Sequence, residues 1–577
     1  MLTAGLLALG ALGACKSEGS VAPPANGEAI ANPRGLLNIG DVISLNVNGD
    51  SACTRAVLHP VRVVAIGAHS VILSDTLNPK GGFTTADFQR YAARFDTLVY
   101  PLDVENFGEP TDIDKNGRIA ILFTRAVNEL TAPRAASYVG GFAFSRDLFP
   151  TVGTTRAQAC AGSNQGEMFY LLAPDPFGTI NSNVRSVGFV DSVTTSVLAH
   201  EFQHLINASR RLYVNNTPAF EEKWLDEALA HSAEELLFYR EAGLGSRLNL
   251  DITAIRASQK IRAAFNIEMS GNASRYKTYL ASPATSSPYS ANDSLTTRGA
   301  SWSFLRYAID RVNATDGFAA GSGQTLTSAG TATLSPGTTG GEYSITVVNT
   351  LVQGFGSATY SLAAIPAPGT PAMVVGPVPA ASRAVVAEPR EPALQPDRAF
   401  EARLRSRERL ELTPRILAAR QWYASQSAPA PAMLRSRMSR STSALADADA
   451  ALFFKLVNNA TVGATNLQSV VGDLPGLVRD WSVSHAIDDV AAPATQYQQR
   501  SWNWHSLYPA IGTFTSPYPL AVQPLSITST ISNATVVSGG AAFYSLAVGA
   551  GASVTLTFSN SSSTANPSLQ LIIVRTK

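Results

Sequence analysis

The sequence predicts an α+β protein in which a mixed sheet and a group of long helices form one domain, accompanied by additional all-β modules. Three observations lead there. Short β-branched stretches between turn formers begin at Val42, apolar residues recur with helical spacing from about Val193 to Tyr239, and two Gly-punctuated stretches near 314–375 and 519–577 alternate apolar with polar residues. No period recurs often enough to indicate a solenoid.

A chain of 577 residues is too long for one ordinary core, so several domains are expected. With 45% hydrophobic and 15% charged residues the composition is that of a globular protein, and a formal charge of +1 gives no electrostatic case for nucleic acid as a partner. The first fifteen residues, MLTAGLLALGALGAC, form an apolar run too short to span a bilayer and read as a targeting segment. Leu12-Gly13-Ala14-Cys15 resembles the lipobox of bacterial lipoproteins, which implies cleavage before Cys15, acylation there and a membrane association through that anchor alone. No Lys or Arg precedes the run, and a plain secretory signal is the other reading. Either way the chain is expected to be exported. Setting Cys15 aside leaves an even pair, Cys53 and Cys160, expected to form a disulfide in an oxidising compartment.

Past a signal at 1–15 and a flexible Ser/Pro/Ala/Gly tether at 16–40, strands are expected at Val42 to Val47, Val61 to Ile66 and Val71 to Leu73. Helices follow near Thr84 to Phe95, across Val193 to Tyr239, and at Ala300 to Val312, which ends a first segment at 41–313. An interruption comes next. A small β module at 314–375 (Thr331 to Leu334, Tyr343 to Val348, Ala358 to Leu362) leads into a Pro/Ala-rich and Arg/Glu-rich linker at 376–447, whose Asp397 to Arg420 run reads as a solvated helix. Helical periodicity returns at 448–518, and a C-terminal β domain is expected at 519–577.

The chemistry concentrates in Val197-Leu198-Ala199-His200-Glu201-Phe202-Gln203-His204-Leu205-Ile206, an HExxH pattern inside an apolar-periodic helix. Residues four apart share a helical face, so His200 and His204 can aim two imidazole nitrogens at one ion, while Glu201 is turned aside yet able to reach a water on that ion. A catalytic zinc site needs three protein ligands and one open position. Downstream, Trp224-Leu225-Asp226-Glu227-Ala228-Leu229-Ala230-His231 opens a second apolar-periodic helix, and Glu227 stands where gluzincins carry the third ligand. Three of the seven histidines fall between His200 and His231, which argues against histidines that merely pack.

HEFQHLIN followed by EEKWLDEALAHSAEE resembles the hyicolysin family of bacterial neutral metallopeptidases, distant relatives of thermolysin. The likeness reaches upstream to Asp112-Ile113-Asp114-Lys115-Asn116-Gly117 and downstream to Ser501-Trp502-Asn503-Trp504. It implies a zincin-like catalytic domain begun by 41–313 and continued by 448–518, with Zn2+ held by His200, His204 and Glu227. It also implies Glu201 as general base, protein or peptide as substrate, and a sheet whose edge strand holds the substrate backbone. One departure concerns His231, which stands where thermolysin-like enzymes place a carboxylate that orients a ligand histidine. Glu234 is a candidate for that duty, and His231 either faces the site as a catalytic, oxyanion-stabilising group or makes only structural contacts; Tyr213 and Tyr239 are the other candidate donors. The 313–447 interruption is the second departure, since it splits material expected to be contiguous.

A second, weaker motif is Asp112-Ile113-Asp114-Lys115-Asn116-Gly117-Arg118, which has the alternating oxygens and turn glycine of a Ca2+ loop, with Asp112, Asp114 and Asn116 as ligands. Phe123, in the strand Ile119 to Phe123, stands where an EF-hand supplies its bidentate glutamate, and a self-closing Asp/Asn/Gly turn is the alternative. For the whole chain, the rival to an exported zinc endopeptidase is a surface binding or adhesion lipoprotein built from β modules with a vestigial zinc site.

Overall fold

Central strands of a sheet covered on both faces are apolar at every position, whereas outer strands alternate. IAILFT and MFYLL are of the first kind, and they lie at the centre of a six-stranded sheet. The computed structural model describes residues 37–49, 53, 56–135, 138–152, 159–217, 219–312, 323–352, 356–367, 444–490, 495–510, 517–561 and 564–577. The signal segment with Cys15, most of the tether and the Asp397 to Arg420 run lie outside the described residues.

The sheet runs β1 (Val42–Asn46), β2 (Leu58–Ile66), β3 (Ser70–Asp75), β4 (Ile119–Thr124), β6 (Met168–Leu172), β5 (Gly141–Ala143). β3, β4 and β6 are parallel, and β1, β2 and β5 join antiparallel at the two sides. Successive side chains point to opposite faces. Ile72, Ile121 and Phe169 therefore meet the helices, while Val71, Leu122 and Tyr170 enter a smaller core with Leu45, Val61 and Phe142 on the other face.

Against the helical face lie α1 (Thr85–Arg94) and α2 (Tyr100–Phe107), joined by a π-helical turn, whereas the short α3 (Arg125–Glu129) after β4 puts Ala126 and Val127 into the smaller core. Thr84 and Asp87 form a reciprocal capping box at the start of α1. The HExxH helix is α4 (Val187–Ser209), capped by Ser186 Oγ accepting from the Phe189 amide at 3.2 Å. Phe202, on its face towards the sheet, packs on Phe95 and Tyr100 at ring separations of 5.0 and 5.4 Å. α5 (Lys223–Ala242) runs beside it and stops at Gly243, whose φ of 71° is the left-handed conformation that glycine adopts freely.

Cys53 and Cys160 are bonded, tying the β1–β2 connection to the β5–β6 connection. The bond closes a sequence separation of 107 residues, and disulfides typically stabilise by about 2–4 kcal/mol, more for longer loops.

Beyond α6 (Ile252–Arg256) and α7 (Gln259–Ala264), α8 (Ser270–Leu280) crosses α9 (Leu295–Val312). A Cβ at Gly299 would lie 2.3 Å from the Arg275 backbone, so only glycine permits this approach. The helices after the interruption, α10 (Ala444–Val457), α11 (Gly463–Val471), α12 (Leu474–Ile487) and α13 (Trp504–Leu507), join the same core. Phe453 on α10 meets Phe107 on α2 at 5.6 Å. A buried ionic network fixes the join: Arg306 Nη1 reaches Asp449 at 2.9 Å, Arg306 Nε reaches Glu235 at 2.8 Å, and Trp502 Nε1 donates to Glu235 at 2.6 Å.

The two β stretches do not stand apart from each other. β7 (Gln324–Thr327), β8 (Ala329–Leu334), β9 (Gly341–Asn349) and β10 (Ser357–Pro366) interleave with β11 (Val522–Leu525), β12 (Thr530–Val537), β13 (Ala541–Val548), β14 (Val554–Asn560) and β15 (Leu569–Arg575). One sheet is ordered β12-β10-β14-β8 and the other β11-β13-β9-β15-β7. This corrects the expectation of a separate small module at 314–375 and a separate terminal domain at 519–577. A single alternating strand buries one face only, and here each stretch finds partners in the other: Ile345 and Val347 of β9 share a core with Leu546, Leu569 and Leu571. No helix among the described residues is long and apolar enough to cross a membrane.

Candidate metal centre

Nearly every α4 residue from Val193 to Asn207 is buried, because the helix lies between the sheet and α5. The interior face of that pair carries the polar groups. His200 Nε2 and His204 Nε2 are 3.2 Å apart, and Glu227 Oε2 of α5 lies 3.5 Å from the first and 3.9 Å from the second. Ligands at zinc's usual bond lengths of 2.0–2.1 Å in a tetrahedron stand about 3.3 Å apart. The triangle is therefore of the size that a single ion would span. Glu227 Oε2 is buried and has no hydrogen-bond partner among the described residues, which a bare carboxylate oxygen tolerates only at a cost unless a cation faces it. The donor set and the orphaned oxygen both fit zinc.

Each of the three side chains is held from behind. His200 Nδ1 hydrogen-bonds Glu234 Oε1 at 2.8 Å, and Asp226 Oδ2 lies 2.8 Å from His204 Nδ1. Glu227 Oε1 pairs with Arg298 Nη2 of α9 at 2.8 Å, and Arg298 is anchored in turn by both oxygens of Asp293, at 2.7 and 2.9 Å. Burial pushes the Glu227 carboxyl up, but Arg298 and the two histidines outweigh it and hold the group well below the usual carboxylate range. Glu234 follows the same logic: burial raises it, and His231 and His200 bring it well below its ordinary value.

His231 is completely buried beside His200, with ring centroids 4.7 Å apart. Its Nδ1 lies 3.2 Å from Glu234 Oε1 and its Nε2 lies 3.9 Å from Glu227 Oε2. Burial lowers its pKa to about 3, and Arg275 acts in the same direction, so the ring is neutral at ordinary pH. The carboxylate duty expected one turn earlier on α5 is thus performed geometrically by Glu234, around which both imidazoles gather.

Glu201 is buried on the side of α4 that faces β5. A Cβ at Gly141 would meet Glu201 Oε1 at 3.0 Å, Val197 Cγ1 at 2.9 Å and the Tyr170 carbonyl at 2.8 Å, so the edge strand passes the glutamate closely only because it has no side chain there. If the site hydrolyses peptides, Gly141→Ala is expected to lower kcat/KM about 100-fold, the scale set by a displacement of about 1 Å near reacting groups. Steady-state peptide hydrolysis beside a thermal melt checks this, and the melting temperature should fall as well, because the added Cβ meets the Tyr170 backbone carbonyl.

Two candidate oxyanion donors lie elsewhere. The Tyr213 hydroxyl donates to the Leu148 carbonyl, and the Tyr239 hydroxyl donates to Glu235 Oε1 at 3.0 Å inside the ionic network under α9. Each buried hydroxyl thus has an acceptor that is not a member of the His200, His204 and Glu227 group.

At the second motif, Asp112 and Asp114 converge with Glu167, which precedes β6, and oxygens of the three lie within 4.8 Å of one another. Asn116 does not complete this group. Its Nδ2 donates to Asp114 Oδ2 at 2.7 Å and its Oδ1 accepts from the Arg118 amide at 2.6 Å, so the amide closes the loop on itself. Glu167 is buried and accepts from Thr111 Oγ1 at 2.7 Å and from the Ile113 amide at 3.0 Å. Burial raises its pKa well above the ordinary value, and Asp114 adds to the effect.

A mixed sheet, two packed helices and a His-His-Glu cluster fit a zinc protease in general. Over 142 residues the chain is 32% identical to neutral metalloprotease ShpI of Staphylococcus hyicus, a match covering 25% of this chain and 29% of that protein. The chain thus spans less than a third of the length of the relative it matches. No family model matches it.

Proposed function

We propose that the protein is an exported zinc-dependent endopeptidase of the hyicolysin type. The observation that carries this reading is the triangle of His200 Nε2, His204 Nε2 and Glu227 Oε2, with Glu201 buried next to His200 on the same helix. Zinc bound there would lower the pKa of a coordinated water and polarise a scissile carbonyl. Glu201 would take the proton from such a water and pass it to the leaving amine, and it is close enough to β5 to serve a peptide laid along that edge. Glu234 and Asp226 keep the two imidazoles aimed inward. His231, neutral and with Nε2 3.9 Å from Glu227 Oε2, is the candidate to contact the reacting carbonyl. An intact set of ligands, base and supporting carboxylates speaks against a vestigial site in an adhesion protein. Casein hydrolysis tests the proposal: cleavage should vanish with 1,10-phenanthroline and return with zinc, and chelator-insensitive cleavage or none would sink it.

The N-terminal apolar segment and the Cys53–Cys160 bond support export to an oxidising compartment, with acyl chains on Cys15 as the only membrane attachment. Asp112, Asp114 and Glu167 are the proposed Ca2+ ligands, supported by three converging carboxylates in hard-oxygen surroundings. Calcium should raise the melting temperature of the wild type and leave that of Glu167→Gln unmoved, as followed by calorimetry with zinc held constant. Equal shifts in both proteins would remove calcium from the proposal.

A further inference from the structure

We propose that Arg298 is a positioning residue that holds one carboxylate oxygen of Glu227 away from the metal, so that the ligand offers a single oxygen and one coordination position stays open. This rests on the zinc reading above. A glutamate beside a zinc ion can bind through one oxygen or both, and a catalytic site requires a vacancy that two-oxygen ligation would narrow. Glu227 divides its two oxygens between two partners. Oε1 is committed to Arg298 Nη2 at 2.8 Å, while Oε2 is the atom within 3.5 and 3.9 Å of the ligand imidazoles and has no hydrogen-bond partner among the described residues.

Arg298 can act as a fixed stop because it is itself immobilised. It is 2% exposed, and Nε and Nη2 engage Asp293 Oδ1 and Oδ2 at 2.7 and 2.9 Å in the paired geometry suited to a guanidinium. Lys223 Nζ, at the start of the ligand helix itself, reaches Asp293 Oδ2 at 2.5 Å. The chain Lys223, Asp293, Arg298, Glu227 therefore runs from α5 through the segment before α9 and back to α5, so the ligand helix and its restraint move together. Gly299 next in sequence lets α9 approach α8 closely enough to place this arginine inside.

The test compares wild type with Arg298→Met and Arg298→Lys, each loaded with cobalt in place of zinc. Four-coordinate cobalt absorbs more strongly in the visible than five-coordinate cobalt, so coordination is read without reference to activity. Arg298→Met should still bind one cobalt per chain, with weaker absorption, and its zinc form should lose about 10–100-fold in kcat with KM little changed. Arg298→Lys, which retains a charge and a donor, should recover part of both. A cobalt spectrum in Arg298→Met identical to wild type overturns the inference whatever the rate does, and so does loss of the metal. Should Arg298→Met fail to fold, Asp293→Asn, which frees one end of the guanidinium, must show the same spectral change in smaller degree, and no change there overturns it. A wild type that binds neither cobalt nor zinc would instead defeat the zinc reading itself.

Discussion

Glu201→Gln is expected to retain one zinc per chain and to lose about 10²–10⁴-fold in kcat, the range that removal of a general base produces. The substitution is nearly isosteric, and the ligand triangle and the Glu234 and Asp226 contacts behind it are made by other side chains, so the metal should be held as before. Proton transfer alone is removed. Zinc analysis of the variant beside its peptide hydrolysis checks both halves of the expectation. Full activity with zinc bound would mean that another group takes the proton, and loss of zinc would mean that Glu201 had been misplaced outside the ligand set.

Glu227→Ala has a different signature. Removal of a carboxylate that supports a ligand histidine typically costs 10–100-fold in metal affinity; removal of a ligand should exceed that range. The loss is compounded locally, since Arg298 would be left buried with one acidic partner fewer. After dialysis against a weak chelator the variant should carry much less than one zinc per chain and hydrolyse nothing, while the wild type stays loaded. Competition with a chromogenic chelator gives the affinities. A variant that keeps wild-type affinity would show that the third ligand lies elsewhere.

The centre of this site is legible in the amino-acid order because helical geometry is local. Two histidines four apart must share a face, and a glutamate on an apolar-periodic helix that packs back on the first is bound to come near them. The outer strands could be read for the same kind of reason, since β1 and β2 alternate. What could not be read is what depends on which distant elements meet. Glu167 joins Asp112 and Asp114 because β6 lies parallel beside β4, and nothing in GEMFYLL marks that adjacency. Arg298 reaches Glu227 from a helix with no motif of its own, and its signal, a glycine beside an arginine in a buried helix, emerges only once α8 and α9 are seen to cross. Asp226, next to the ligand glutamate, was in plain view, but neighbouring helix positions do not face the same way, and only the observed packing turns it to His204.

The β strands teach a related lesson. Alternation reports that one face of a strand is buried and is silent about the partner. Thr331 to Leu334 and Ser526 to Val574 thus read as two units, and only the pairing of β8 with β14 and of β9 with both β13 and β15 unites them. The acceptors of Tyr213 and Tyr239 were hidden for an equally physical reason: a buried hydroxyl bonds to whichever acceptor the packing brings into reach, here the Leu148 carbonyl and Glu235.

Anomalous diffraction at the zinc absorption edge, from crystals of the whole chain grown with equimolar zinc, addresses the central claim most directly. The account predicts one peak enclosed by His200 Nε2, His204 Nε2 and Glu227 Oε2, about 2.0–2.2 Å from each. A map with no peak between these three side chains, or with zinc only on other groups, would contradict it.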